Sequence, residues 1–351
     1  MGALMGALVA LAGCSSVRYY AHVAHGQGAL VAGRRPIARV IADPATDPAL
    51  ATRLRLALAA RDFASSALDL PRNRSYTYYV ALNRPYVVWN VFATPPYSLA
   101  PVNHCFPIAG CVAYRGYFDR AKADAEAKRQ SAGGHDVYIG GVPAYSTLGW
   151  FADPILSSML RWDDDELAAT IFHELAHQKL YVKGDTAFNE SFATFVQEEG
   201  LRQWRLSRHM PPPGDDEEVK EKTFEAMVLD LRERLRVLYA SGGDVASMQA
   251  GKLREIAGFR RRFAAVRESA WHGDHRYDGW VDGPINNAAL LPFGLYEQWV
   301  PAFTALYAQT GHAWPAFFAR VRELARLDSE AREASLRKLA PPAIVTVPAA
   351  P

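Results

Sequence analysis

"FHELAHQ", residues 172–178, places His173 and His177 four apart, with Glu174 directly after the first. On a helix that spacing sets both imidazoles on one face, within reach of a single metal ion, with a carboxylate alongside. With 10 His in 351 residues, on the order of one or two random chains in a hundred would carry the pattern. Its surroundings therefore decide whether it is chemistry or one more buried helical turn.

Working outward, residues 163–182 read as a helix opened by Asp163, Asp164 and Asp165, which suit the positive end of a helix dipole. Leu167, Ile171 and Leu175 form one apolar stripe, and Ala168, Phe172 and Ala176 the next. A helix apolar nearly all round is expected to be buried. Its polar exceptions are His173, Glu174 and His177, and buried polar groups need partners or an ion. Catalytic zinc usually takes three protein ligands and leaves a fourth position to water. The continuation HExxHxxGxxH is excluded, because Leu180 and Lys183 stand where Gly and His are required. Gly184 and Asp185 break the chain, and a second helix over about 188–206 carries Glu190 in "FNESFA". Glu190 is the expected third ligand, the gluzincin arrangement, although its spacing from His177 is shorter than in the thermolysin-like and large aminopeptidase gluzincins. Asp185, Glu198 and Glu199 are its rivals. Asp185 reads either as a turn former or as a hydrogen-bond partner of a ligand histidine.

The chain as a whole is half apolar, long enough for one large core or two packed ones, and carries a formal charge of only +2. Acidic and basic residues are mixed along it, so no nucleic-acid surface is expected, and the run "RRRF" reads as a solvated helix face. The N-terminus, "MGALMGALVALAGCSS", is an apolar run ending in LAGC before two serines. It looks like a bacterial lipoprotein signal, with residues 1–13 removed and Cys14 carrying the lipid, although no Lys or Arg precedes the run. Ser15 and Ser16 fit sorting to the outer membrane, so the expected location is the periplasmic side of the envelope. Cys105 and Cys111 remain as a possible disulfide in that oxidising compartment, with two buried thiols as the alternative.

Asp47 and Pro48 start a helix that continues to about Leu68. "SYTYYVAL" and "YVVWNVFA" read as a pair of strands, and a charged helix follows over about 119–131. "DVYIGGV" and "AYSTLGWF" read as two more strands. The last of these precedes the HExxH helix, as a substrate-pairing edge strand would. Past a hinge at "PPPGDDEE" come two long helices, about 216–240 and 248–270, then helices over about 286–328 and a disordered tail at 341–351. The expected fold class is α+β: a small mixed or antiparallel sheet packed on the HExxH helix, within a mostly helical protein. One domain is expected over 14–340, with a zincin-like core at about 75–206 and a helical part at about 215–330.

Several stretches together carry a family resemblance: "GQGALVAGRRPI", "LPRNRSYTYYVAL", "VVWNVFATPPYSL", "CFPIAGCVAYRGYF", "DVYIGGVPAYSTLGWFADPILSSM", "FHELAHQKLYVKGDTAFNESFA" and "NNAAL". In these the chain resembles the predicted aminopeptidases of bacterial lipoprotein type, a gluzincin-like group. The resemblance implies a periplasm-facing, zinc-dependent peptidase acting on peptides, with one Zn2+ on His173, His177 and Glu190 and with Glu174 as general base. The oxyanion donor is expected to be Tyr296, with Tyr114 and Arg115 as competitors. Two other readings stay open, a zinc endopeptidase and a zinc-binding envelope lipoprotein without hydrolytic activity. The intact Glu174 argues against the second, because a structural zinc site has no use for a base.

Overall fold

The computed structural model describes residues 2–106, 110–144, 146–211, 215–293 and 298–340, with side chains described from 17 to 211 and from 219 onward within these ranges. Helix α1 (Gly2–Ala32) leads through the short strand β1 (Arg35–Pro36) into α2 (Ile37–Ala42) and α3 (Pro48–Ser66). The strands follow: β2 (Tyr78–Val80), β3 (Val88–Thr94), β4 (His104–Phe106), β5 (Gly110–Val112) and β6 (Tyr114–Tyr117), then α4 (Arg120–Ala132), β7 (Asp136–Val142) and β8 (Ile155–Leu156). Beyond these the described chain is helical: α5 (Asp164–Lys179), α6 (Thr186–Ser207), α7 (Asp215–Ala240), α8 (Val245–Ser269), α9 (Asp278–Val281), α10 (Val300–Gln309), α11 (Trp314–Ala325) and α12 (Ser329–Leu339). Short 3₁₀ turns lie at Met159–Arg161 and Asn287–Leu290. The fold is mixed α+β, mostly helical, with small sheets. No helix among the described residues is long and apolar enough to cross a membrane.

The strands form three small sheets. In one, β2 pairs antiparallel with β1 and parallel with β8. In the second, β3 is central, with β6 and β7 antiparallel on either side, so β7 is an outer strand. The third is the β4–β5 hairpin, closed by the Cys105–Cys111 disulfide. Two sequence expectations are corrected here. "SYTYYVAL" and "YVVWNVFA" are not partners, since β2 and β3 lie in different sheets. The described residues of "AYSTLGWF", 144 and 146–151, form no strand. Trp150 N–H donates to Thr147 O at 3.1 Å, and Phe151 N–H donates to Thr147 Oγ1 at 3.0 Å. Leu148 and Gly149 take φ of +54° and +81°. The threonine hydroxyl competes for the backbone and closes a tight turn, which overrides the β propensity of the aromatic residues.

The N-caps follow the sequence signals: Asp47 caps α3, Asp119 caps α4, Asp163 caps α5 and Asp185 caps α6, each side chain accepting from backbone N–H groups one turn on. Helix α12 runs to Leu339, beyond the expected helical limit near 330. The largest core packs α3, α5, α6, α10, α11 and α12 around Phe172, Phe188, Phe192, Phe303, Phe317 and Phe318, all fully buried. A second core joins α7 and α8 to the chain around Trp271, Val281 and Leu290. The β6–β3–β7 sheet is covered on one face by α4 through Ala123 and on the other by Ala288 and Leu291.

Candidate metal centre

Helix α5 delivers His173 and His177 and is fixed at its start by ion pairs from Arg53 to Asp164 and from Arg205 to Asp165. It ends at Lys179, and the chain reverses through Gly184, whose φ of +83° favours glycine. Asn189 closes this reversal: its Nδ2 donates to Val182 O and its Oδ1 accepts from Val182 N–H, each at 2.7 Å. The side chain is buried, so both bonds are made out of water. The next residue, Glu190, is thereby turned back onto α5. The opposite side of α6 is pinned by rings, Phe188 and Phe192 against Phe303 and Phe195 against Phe317 and Trp314.

The result is a cluster of three ligand atoms. The Nε2 atoms of His173 and His177 are 3.1 Å apart, and Glu190 Oε2 lies 3.4 Å from the first and 3.5 Å from the second. A tetrahedral ion with bonds of about 2.0–2.1 Å separates its ligand atoms by about 3.3 Å. The three distances therefore form one face of such a tetrahedron. His173 Nδ1 lies 2.9 Å from Gln197 Oε1, which as an acceptor fixes the proton on Nδ1 and leaves Nε2 free to ligate. His177 Nδ1 is buried with no partner among the described residues.

The electrostatics suit a cation. Burial works against the charge on Glu190, yet hydrogen bonds and charge from His173 and His177 hold its carboxyl well below the usual range. Burial works against a charged His177, but its bond to Glu190 and the charges of Glu190 and Glu174 raise its pKa on balance. The two carboxylates thus favour positive charge at this cluster. Those donors, that spacing and that charge fit zinc.

Three tyrosines lie within electrostatic reach of the carboxylates at this site. The Tyr181 ring lies edge-on to His177 at 6.3 Å, and burial followed by the charge of Glu190 raises its phenol pKa. Tyr114, at the start of β6, packs at a tilt against Phe92, with ring centroids 5.4 Å apart. The residue keeps 37 % of its surface exposed, and desolvation of the phenol together with the charges of Glu190 and Glu174 raises its pKa above the normal value. Tyr76, just before β2, is raised by burial and by the charges of Glu174 and Asp153.

The structure sorts the remaining sequence candidates. Arg115 points the other way, its guanidinium 4.0 Å above the Tyr19 ring and 3.9 Å from Glu126. Asp185 caps α6 and accepts from Arg332 at 2.8 Å, so it is a turn residue and not a histidine partner. Glu199 is held by Arg202 and Gln203, and Glu198 pairs with Lys222 at 3.7 Å. Neither joins the cluster. Tyr296 lies outside the described residues. Of the arginines in "RRRF", Arg260 donates to Val281 O and Gly283 O and Arg262 to Asp230, so part of that face is bonded rather than free. The reading of the residues had missed Gln197, Tyr181, Tyr76 and Asp153. Gln197 lies seven residues after Glu190 on one helix face, which was a visible signal. The others come from separate segments, which no spacing connects.

A protein-family profile described as "Putative aminopeptidase" matches residues 18–336. No curated relative and no solved structure matches the chain. The match spans the sheets, both ligand-bearing helices and the helices beyond them, and it carries a peptidase-type function for the fold. The chain belongs to this aminopeptidase family.

Proposed function

We propose that the protein is a zinc-dependent aminopeptidase with a zincin-like core, exported and held at the cell envelope by a lipid on Cys14. The observation that carries the zinc reading is the convergence of His173, His177 and Glu190 beside Glu174 on one helix. Bound to these three residues, zinc supplies a Lewis acid that brings the pKa of water down towards about 7. Glu174, half-buried and next to His173 on α5, accepts the water's proton and hands it to the departing amine. Tyr114 donates to the oxyanion, taking the part expected of Tyr296. Gln197 holds the imidazole of His173 in its ligating tautomer.

The outer strand β7 takes over the substrate-pairing part expected of 144–151, since it offers an edge beside β3 to an extended peptide. The endopeptidase reading has one observation in its favour. The carboxylates bearing on the site tyrosines are Glu174, Glu190 and Asp153, and each already serves as base, ligand or buried acceptor. Among the described residues, none of these three is left to hold a substrate's free ammonium.

The lipid anchor also has a structural consequence. Tyr19 OH donates to Gly116 O at 3.2 Å, so the chain is fastened to β6 five residues past Cys14. Five residues span at most about 17 Å, so a lipid on Cys14 keeps the catalytic sheet close to the bilayer.

The deciding experiment is cleavage of one peptide library, in free and N-acetylated form, by the zinc-loaded protein, with Glu174→Gln alongside. Loss of single N-terminal residues from free peptides, abolished in the Gln variant, supports the aminopeptidase. Internal cuts in both forms make it an endopeptidase. Bound zinc with no cleavage moves the reading to an envelope binding protein.

A further inference from the structure

Helix α1 has an apolar inner side, which the fold covers, and an apolar outer side, which it does not. The inner side is fastened along its length. Tyr19 OH donates to Gly116 O at 3.2 Å, Phe118 N–H donates to His22 Nε2 at 3.1 Å, and Leu30 joins the largest core. A Cβ on Gly26 would meet the Phe118 ring at 2.3 Å, so the helix is pressed tightly onto the chain just past β6. On the outer side Val17, Tyr20, Ala21, Ala24, Gly28 and Val31 are all exposed, Val17 at 68 %. At 3.6 residues per turn they share an arc of about 100° that holds no charged side chain and runs about 21 Å along the axis. No described atom lies within 4 Å of a Cβ placed on Gly28, so the stripe is open at its middle. An apolar helix face is ordinarily covered.

A second apolar feature stands at the end of this helix. Trp150 and Phe151, 69 % and 49 % exposed, are the most exposed aromatic side chains among the described residues. They sit on the tight turn that Thr147 closes. Arg34, two residues past α1, donates to Ala152 O at 2.7 Å and so ties that turn to the C-terminal end of the helix.

Charge selects what covers these surfaces. Between Val17 and Ala42 the chain has no Asp or Glu, and it carries Arg18, Arg34, Arg35 and Arg39. Arg35 is balanced by Asp43 at 3.3 Å. Arg34 bonds carbonyls and lies over the Tyr78 ring at 5.5 Å, which leaves its charge in place, and Arg18 and Arg39 are exposed. A second copy of the chain on this face would set arginines against arginines. An anionic bilayer offers the complementary charge, and its interface is where tryptophan and tyrosine gather.

We propose that the outer side of α1 and the Trp150–Phe151 turn form a membrane-docking face: α1 lies in the headgroup region of an anionic bilayer with its apolar stripe turned down, and the two aromatic side chains enter beside its C-terminal end. A helix too short in apolar length to cross a membrane can still lie in its interface, because only one side needs covering. The stripe begins three residues past Cys14, so a lipid there and this face would hold the same surface. The face itself needs neither that lipid nor the zinc chemistry, and its failure is therefore distinct from theirs.

The test uses the chain from residue 14 with Cys14→Ser, which carries no lipid and keeps every residue of the four cores. Flotation with vesicles of phosphatidylcholine alone, or of phosphatidylcholine and phosphatidylglycerol in equal parts, measures binding. The protein is expected to float with the anionic vesicles and to be released by salt. Arg18→Gln weakens this binding about 5-fold, the worth of one basic residue near an anionic surface. Val17→Asp and Trp150→Ala each weaken it about 10-fold or more, as loss of a large buried apolar side chain does. All three positions are exposed, so the melting temperature stays at the wild-type value and loss of fold is separated from loss of docking. No flotation with anionic vesicles, or flotation that none of the three substitutions weakens, overturns the proposal. Self-association without vesicles that Val17→Asp abolishes also overturns it and assigns the face to a second copy.

Discussion

Asp153 offers a measurement that stands apart from the proposed chemistry. The carboxyl is 1 % exposed, and burial, partly offset by hydrogen bonds from Thr147 and reinforced by the charge of Glu174, raises its pKa from 3.8 to about 6. Its proton is held more tightly in the folded chain than in the unfolded one. Its contribution to stability is therefore fully present below about pH 4 and is lost as the pH rises through about 6. A shift of roughly two units at about 1.4 kcal/mol each makes the ionised form cost about 3 kcal/mol of stability near neutral pH. Asp153→Asn removes the charge and keeps an oxygen to accept from Thr147. Urea unfolding of both proteins between pH 4 and pH 8, with metal chelated, isolates the effect, since the other titrating groups cancel in the difference. The variant is expected to gain on the wild type by about 1.4 kcal/mol per unit between about pH 4 and 6 and to level off above. A difference that stays flat across that range would refute the reasoning, because the charge would then be as well solvated in the fold as outside it.

Further expectations follow from the site and its supports. His177→Ala and Glu190→Gln should each lose zinc on dialysis against a weak chelator while far-UV dichroism is retained; zinc retained in both would remove the assigned ligand set. Tyr114→Phe should lower kcat by about 100- to 1,000-fold with little change in KM, as removal of an oxyanion donor does; unchanged kcat in stopped assays would take Tyr114 out of the mechanism. Gly184→Ala meets no atom within 4 Å, so its expected loss of about 1–2 kcal/mol in urea unfolding comes from the +83° φ alone. Phe192→Ala, fully buried against Phe303 and Phe317, should cost about 3–5 kcal/mol by the same assay.

The helices were legible because their signals are local. Asp47, Asp119 and Asp163 each cap the helix they were read to start, and the metal-binding helix stands out by polar residues breaking an apolar surface. Strand partners were not legible, because β2 and β3 are neighbours in sequence yet each finds its partners elsewhere, at β1 and β8 or at β6 and β7. The stretch 144–151 misled for a different reason. Its aromatic composition favours a strand, but Thr147, through its hydroxyl and its carbonyl, satisfies the N–H groups of Phe151 and Trp150 locally and so diverts them from a sheet.

The site divides along the same line. His173, His177 and Glu190 lie within one helix–turn–helix, where a few residues of spacing and one glycine determine the geometry, so "HELAH" and "NE" suffice to name them. Asn189, the first half of that "NE", earns its place by the two bonds that hold the reversal, and the ligand follows from the lock. Tyr114, Tyr76 and Asp153 come from β6, from the loop before β2 and from the turn before β8, and only the folded chain brings these separate segments within electrostatic reach of Glu174. Metal ligation on this chain is thus a local property. The groups that bear on the base are a property of the whole fold, and substitutions in the loops at 71–76 and 146–153 are expected to change turnover while leaving the metal in place.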